Sequence, residues 1–262
     1  MNRINKARIA YMKKDHAGLS AAHTSDAIAK SIHHHEGHKT DFNLPEIILG
    51  GQDGLVNVLG VILGVAAASS SNQIVIVAGL AAAFAESISM GAVAYTSKIA
   101  EVDYYQSELE REQYEIEHMP EAEREEVREL YKGYGFEGEL LDQVVTTITS
   151  NKEVWLKTMM EQELKLEPLD RREALPAAFI VGVSALIGSF IPLTPFFFLD
   201  RTPAIIIGLI VSAITLFAVG YYKAKKTLGR QLIRQGMEMM VIGMVSAFVG
   251  YFIGSLFKVP PQ

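Results

Sequence analysis

Between Gln73 and Met119 the chain contains no proline, and an apolar stretch, QIVIVAGLAAAFAESISMGAVAYTS, passes without a break into EVDYYQSELEREQYEIE. The first half is long enough to cross a hydrocarbon core of about 30 Å as a helix. The second half carries too many carboxylates to stay in lipid. One helix must therefore leave the membrane and carry acidic groups into water. The rest of the chain has to supply either more membrane or more acid.

Four further apolar runs supply the membrane. The first, 47–68, follows Pro45 and Glu46, which suit a helix start. The turn SSSNQ then leads into the organising helix. The others are 174–199, interrupted by Pro176, Pro192 and Pro195, then 204–222 after a tight turn at Asp200–Pro203, and 237–257 after the basic linker KAKKTLGRQLIR. The expected fold is an all-α membrane protein of five transmembrane helices, with a small cytoplasmic helical metal-binding subdomain between spans two and three. The segments are then a polar N-terminal stretch (1–43), spans one and two (44–100), an acidic insert (101–173) and spans three to five (174–262). With the N-terminus inside, the cytoplasmic segments carry 22 Lys and Arg, leaving only Arg201 and Lys258 outside. That asymmetry places the N-terminus and the insert in the cytoplasm and the C-terminus outside.

A mean hydropathy of +0.19 in a chain that is 21% charged requires the charge to be segregated. Of the 30 acidic residues, 21 lie between Glu101 and Glu173, against nine Lys and Arg. Such a field attracts cations and repels nucleic acid. The absence of cysteine excludes disulfides, thiolate zinc sites and iron–sulfur clusters. The opening MNRINKARIAYMKK has no apolar signal core, so the first span is expected to direct insertion. Residues 5–32 carry Ile9, Met12, Leu19 and Ile32 at loose helical spacing, as a surface-lying amphipathic helix would. HHHEGH at 33–38 offers imidazoles to a transition metal and reads equally as an exposed polar tract.

The insert reads as helices over Glu101–His118, Glu121–Lys132, Leu140–Thr149 and Glu153–Leu166, broken at Met119-Pro120 and at Gly133 and Gly135. Leu130, Tyr131, Phe136, Leu140, Leu141, Val144, Val145, Ile148, Val154 and Trp155 are its candidate core. Carboxylates inside a span cost about 2.5–3.5 kcal/mol each on insertion scales, so Asp53 and Glu86 are functional candidates. Glu86 lies one turn before Met90, which turns a carboxylate and a thioether the same way and suits a borderline divalent metal. Ser87, Ser89, Asn57 and Gln52 read as interhelical hydrogen-bonding groups. In the insert Glu112 and Glu115, and again Glu123 and Glu126, lie three apart on one helix, where a pair can aim at one point. Met159, Met160 and Glu163 place thioethers and a carboxylate about one turn apart. The GxxxG-like spacings Gly50–Gly54 and Gly60–Gly64 favour close helix packing. Phosphate-binding glycine loops, nucleophile elbows, HExxH and nucleic-acid motifs are missing.

With DGLVNVLGVILGV at 53–65, SISMGAVAY at 87–95, the glutamate-rich insert and MMEQELKLEP at 159–168, the chain resembles the vacuolar iron transporter family over about 44–257. The resemblance implies a five-helix homodimer, without a prosthetic group, that moves Fe²⁺ and often Mn²⁺ out of the cytosol in exchange for protons. It puts Asp53 and Met90 on the translocation path at the subunit interface. It makes Glu112, Glu115, Glu123, Glu126, Met159, Met160 and Glu163 ligands in the insert. Many members carry a glutamate four residues after the Met of helix two. This chain has Ala94 there, and Glu86, on the same helical face, is the candidate replacement. The first forty residues match no recognised part of the family. A vacuole-like membrane and a prokaryotic plasma membrane both fit.

Three rivals differ in class. A membrane-anchored metal buffer or sensor has no use for Asp53 and Glu86. A transporter of another substrate would use the insert for regulation. A di-iron enzyme wants Glu-x-x-His on two helices, and only Glu115 and His118 supply such a pair in the insert.

Overall fold

A computed structural model describes residues 7, 9–11, 13–24, 44–227 and 231–257. The histidine tract lies outside them, as does much of the helix expected over 5–32. Within the described part Asp15 caps a short helix, α1 (His16–Ala22), by accepting from the Gly18 N–H at 3.0 Å. The described residues contain no strand. The remaining helices are α2 (Leu44–Ala68), α3 (Asn72–His118), α4 (Pro120–Gly133), α5 (Gly138–Thr149), α6 (Lys152–Thr158), α7 (Ala174–Phe198), α8 (Arg201–Thr227) and α9 (Leu232–Leu256). A π turn, Met159–Glu163, continues α6, and a 3₁₀ turn, Arg171–Glu173, precedes α7. Among the described residues five helices, α2, α3, α7, α8 and α9, are long and apolar enough to cross a membrane.

α3 runs and ends where the sequence predicts, and other boundaries differ in physically simple ways. α3 has 47 residues, about 70 Å at 1.5 Å per residue, more than twice a hydrocarbon core. Pro120 ends it by lacking an N–H and disfavouring the helical region at Met119. α7 runs straight through Pro192 and Pro195, as membrane helices allow when neighbours satisfy the freed backbone. The basic linker is partly helix: α8 continues to Thr227, with Lys225 and Lys226 in its last turn where the helix dipole favours cations. α9 starts at Leu232, five residues before the apolar run at 237.

The chain forms two compact units. The first is Met1–Ile88 with Ile180–Gln262. Its core is a seam of Val58, Leu59, Ile62, Leu63 and Ala66 from α2, Val75 and Ala83 from α3, Leu193 and Phe196 from α7, Ala204 from α8 and Ala247 from α9. Large apolar side chains such as Ile187, Phe198, Ile214 and Phe252 face outward, as lipid contact requires. Asn72 Nδ2 donates to the Phe196 carbonyl at 2.9 Å, and an Arg201 N–H donates to the Ser69 carbonyl at 2.7 Å. These bonds tie the α2–α3 turn to the α7–α8 turn and satisfy carbonyls at helix ends.

Close helix crossings here depend on glycine. A Cβ on Gly54 would overlap the Ala185 carbonyl oxygen of α7, and one on Gly254 would overlap the Gly64 carbonyl oxygen of α2. Gly54→Leu is therefore expected to cost at least about 1–3 kcal/mol of overpacking. Size-exclusion chromatography in mild detergent should show most of that variant aggregated. A wild-type profile would contradict this packing.

The second unit is Ser89–Phe179. Ile116, Val127, Leu141, Val145, Trp155 and Met159 form its core, with Tyr131, Phe136, Ile148 and Leu156 packed against it. Leu141, Val145 and Ile148 fall on one face of α5, while Leu140 and Val154, expected inside, are exposed. Asn151 caps α6 by accepting from the Glu153 and Val154 N–H groups.

Candidate metal centre

In the second unit α3 and α4 bring three carboxylates together. Glu112, Glu115 and Glu123 each place an oxygen within 4.8 Å of the others. Glu112 is 1% and Glu123 2% exposed, and an Oε2 of each is buried without a hydrogen-bond partner. A buried anionic oxygen without a partner is strongly unfavourable, so the arrangement suits a cation that completes it. Carboxylate oxygens are hard donors of the kind divalent metals take.

Glu126 and Glu163 belong to the same electrostatic cluster. Burial pushes the Glu123 carboxyl up to about 7, helped by the charges of Glu126, Glu112, Glu115 and Glu163. Burial also lifts Glu163 to about 7, although part of its side chain reaches solvent, with Glu126 and Glu112 adding to the rise. Glu126 is exposed and hydrogen-bonded to Glu163. Met159 and Met160 are both buried, and Met159 lies in the apolar core beside Trp155. The turn carrying them is π rather than α: the Leu164 N–H reaches the Met159 carbonyl at 3.0 Å, and Lys165 at φ +57° ends it.

The raised carboxyls set a pH dependence. From about 4.5 to about 7 the folded unit holds protons at Glu123 and Glu163 that the unfolded chain has lost. Metal-free stability from these groups must therefore fall as pH rises through that window. Metal binding needs the ionised forms, so it should strengthen over the same window. Trp155, the only tryptophan, sits in this core and reports on the unit alone. Its thermal unfolding transition should move down between pH 5 and pH 7.5 without metal, and Mn²⁺ should raise it more at the higher pH. A metal-free transition that moves up would contradict the shifts.

In the first unit Asn57 Nδ2 donates to a Glu86 carboxylate oxygen, and the Glu86 carboxyl also meets that of Asp53. Asp53 and Asn57 are one turn apart on α2 and exposed on the outer face of the unit, while Glu86 is half-buried. The polar group thus faces out of the unit rather than into its core. Met90, four residues further along α3, is counted in the second unit and is half-buried. Ser87 donates to the Gly182 carbonyl of α7 at 2.7 Å, an interhelical bond as its type suggested.

Two groups escaped the sequence reading. Arg111 pairs with Glu108, Glu112 and Glu115; an arginine in a charge run gives no sign of which carboxylates it chooses. Glu46, seven residues before Asp53 and on the same face of α2, has a buried Oε2 without a hydrogen-bond partner. In the sequence it reads, with Pro45, only as part of a helix start.

An all-helical membrane protein with five apolar helices and a carboxylate cluster in its charged segment defines a class narrow enough to compare. Residues 44–255 match the VIT family, and the chain belongs to it. It is 34% identical to vacuolar iron transporter 1 of Arabidopsis thaliana over 86% of this chain and 90% of that protein. To the vacuolar iron transporter of Plasmodium falciparum isolate 3D7 it is 32% identical over 97% of this chain and 96% of that one. To that of Toxoplasma gondii strain ATCC 50861 / VEG it is 30% identical over 97% and 88%. The last two matches reach into the N-terminal segment, which therefore has counterparts in those proteins.

Proposed function

We propose that the chain moves Fe²⁺, with Mn²⁺ as a second substrate, from the cytosol across a membrane in exchange for protons. The observation that carries this reading is the pair of partnerless buried oxygens in the Glu112–Glu115–Glu123 cluster, which a cation would complete. Relatives named as iron transporters supply the identity of the metal.

In this reading residues 101–173 form a cytoplasmic capture domain. Glu112, Glu115, Glu123, Glu126 and Glu163 draw the metal in, and Met159 and Met160 add soft donors that favour iron over calcium. The metal then passes to Met90, Glu86 and Asp53, with Glu46 as a further carboxylate on the α2 face. Two carboxyls in contact can hold a cation or a proton between them, so metal and proton compete for the same oxygens. Protons arriving from the acidic side displace the metal outward, and the site reloads at neutral cytosolic pH. Because Asp53 and Asn57 face outward, a second copy of the chain encloses the path, and the protein works as a homodimer. The N-terminus lies in the cytoplasm and the C-terminus outside, in a vacuole-like or prokaryotic plasma membrane.

The test is Fe²⁺ uptake by sealed liposomes containing the purified full chain and an internal chelating dye. Dye response above protein-free liposomes supports transport. Metal bound to the protein with no flux under any gradient would instead favour a membrane-anchored buffer.

A further inference from the structure

Arg111 sits within the glutamate cluster rather than beside it. Its NH2 lies 2.6 Å from Glu112 Oε1, its NH1 bonds a Glu115 oxygen, and its Nε and NH2 reach Glu108 Oε2 at 3.1 and 2.8 Å. One guanidinium therefore neutralises two of the three carboxylates that converge, while anchored on a fourth outside the group. Glu108, Glu112 and Glu115 fall on one stripe of α3, four and then three residues apart. The planar fork of five donors is what lets one side chain span them. Glu112 is divided: Oε1 is held by Arg111, and the buried Oε2 has no partner.

We propose that Arg111 is a built-in counter-cation of the site, holding the Glu112–Glu115 end until a divalent cation arrives and then withdrawing to Glu108. The proposal rests on the metal reading of the cluster given above. Metal meets the free Oε2 atoms of Glu112 and Glu123 first. To gain the oxygens that Arg111 holds it must displace the guanidinium, because two cations cannot share them. Glu108 already accepts two of the guanidinium's N–H groups, so withdrawal shortens the list of bonds without stranding the charge. Arg111 thereby keeps the empty cluster from repelling itself apart, and it limits how tightly metal is held. A transporter's capture site needs that limit, since metal held too tightly is not passed on.

The competing description is a plain ladder of helix ion pairs that only supports α3. A double-mutant cycle separates the two. Mn²⁺ is titrated into the full-length protein in detergent at fixed pH, with Trp155 fluorescence as readout and chelator-jump kinetics for release. Arg111→Gln should bind Mn²⁺ about tenfold more tightly, chiefly through slower release. Arg111→Lys, which keeps the charge and loses the fork, should fall between. Glu108→Gln should weaken binding about tenfold by leaving Arg111 on the site. The same change in the Arg111→Gln background should do nothing. Unchanged or weakened binding in both Arg111 variants would overturn the proposal, as would a Glu108→Gln effect that persists without Arg111. A wild-type protein that binds no Mn²⁺ would instead remove the metal reading of the cluster, and the proposal with it.

Discussion

Asp53→Asn is expected to abolish Fe²⁺ flux, by at least about a hundredfold, or about 3 kcal/mol of lost cation stabilisation. Asparagine has nearly the same shape and still hydrogen-bonds Glu86, so the fold should persist. What disappears is one of two carboxyls in contact within an apolar span. Glu86 must then compensate most of the charge of a divalent ion that has shed water. The variant should still bind Mn²⁺ at the glutamate cluster with wild-type affinity, because those carboxylates belong to other helical turns and another unit. Flux and binding measured on one preparation check both halves. Normal flux in Asp53→Asn would remove this carboxylate from the path.

The second large effect concerns capture and has two signs. Glu112→Gln with Glu123→Gln should weaken Mn²⁺ binding by at least about a hundredfold, since it removes two anionic donors from one site. The same pair should make the metal-free unit more heat-stable, because amides replace carboxylates that burial makes costly to ionise. Opposite movements of affinity and metal-free stability mark a site held under electrostatic strain for its ligand. If the glutamates merely propped the helices, both quantities would fall together. Trp155 fluorescence during thermal unfolding, with and without Mn²⁺, gives both.

Much of this architecture is legible in the sequence because the signals are long and redundant. Five runs are long and apolar enough to span a membrane, and Pro120 closes α3 for a reason local to two residues. The register of α5 is likewise readable in Leu141, Val145 and Ile148. Helix ends were less legible where residue type was neutral. Lys223–Lys226 looked like a linker by charge, yet lysine is a good helix former and the dipole welcomes it at a C-terminus.

The site was half legible. Spacing identified which glutamates share a helix face, but partner choice across helices is tertiary, and Arg111 was hidden in a run of charges. Met159 shows a different limit, since a thioether packs in a core as readily as it meets a soft cation. Periodicity carries no sign of the outward aspect of Asp53, because a helix apolar on nearly every side does not mark which face its neighbours cover; only the resemblance implied it.

The claim at the centre is that Fe²⁺ and protons move through the same carboxylates in opposite directions. It is tested most directly in liposomes loaded with Fe²⁺ at the same activity inside and out, reporting lumenal Fe²⁺ and pH together after the interior is made acidic. The expected result is Fe²⁺ accumulating against its own gradient while the interior loses acid in constant proportion, with neither movement in Asp53→Asn. Fe²⁺ that never rises above the external level, or rises without any proton movement, would contradict coupled exchange.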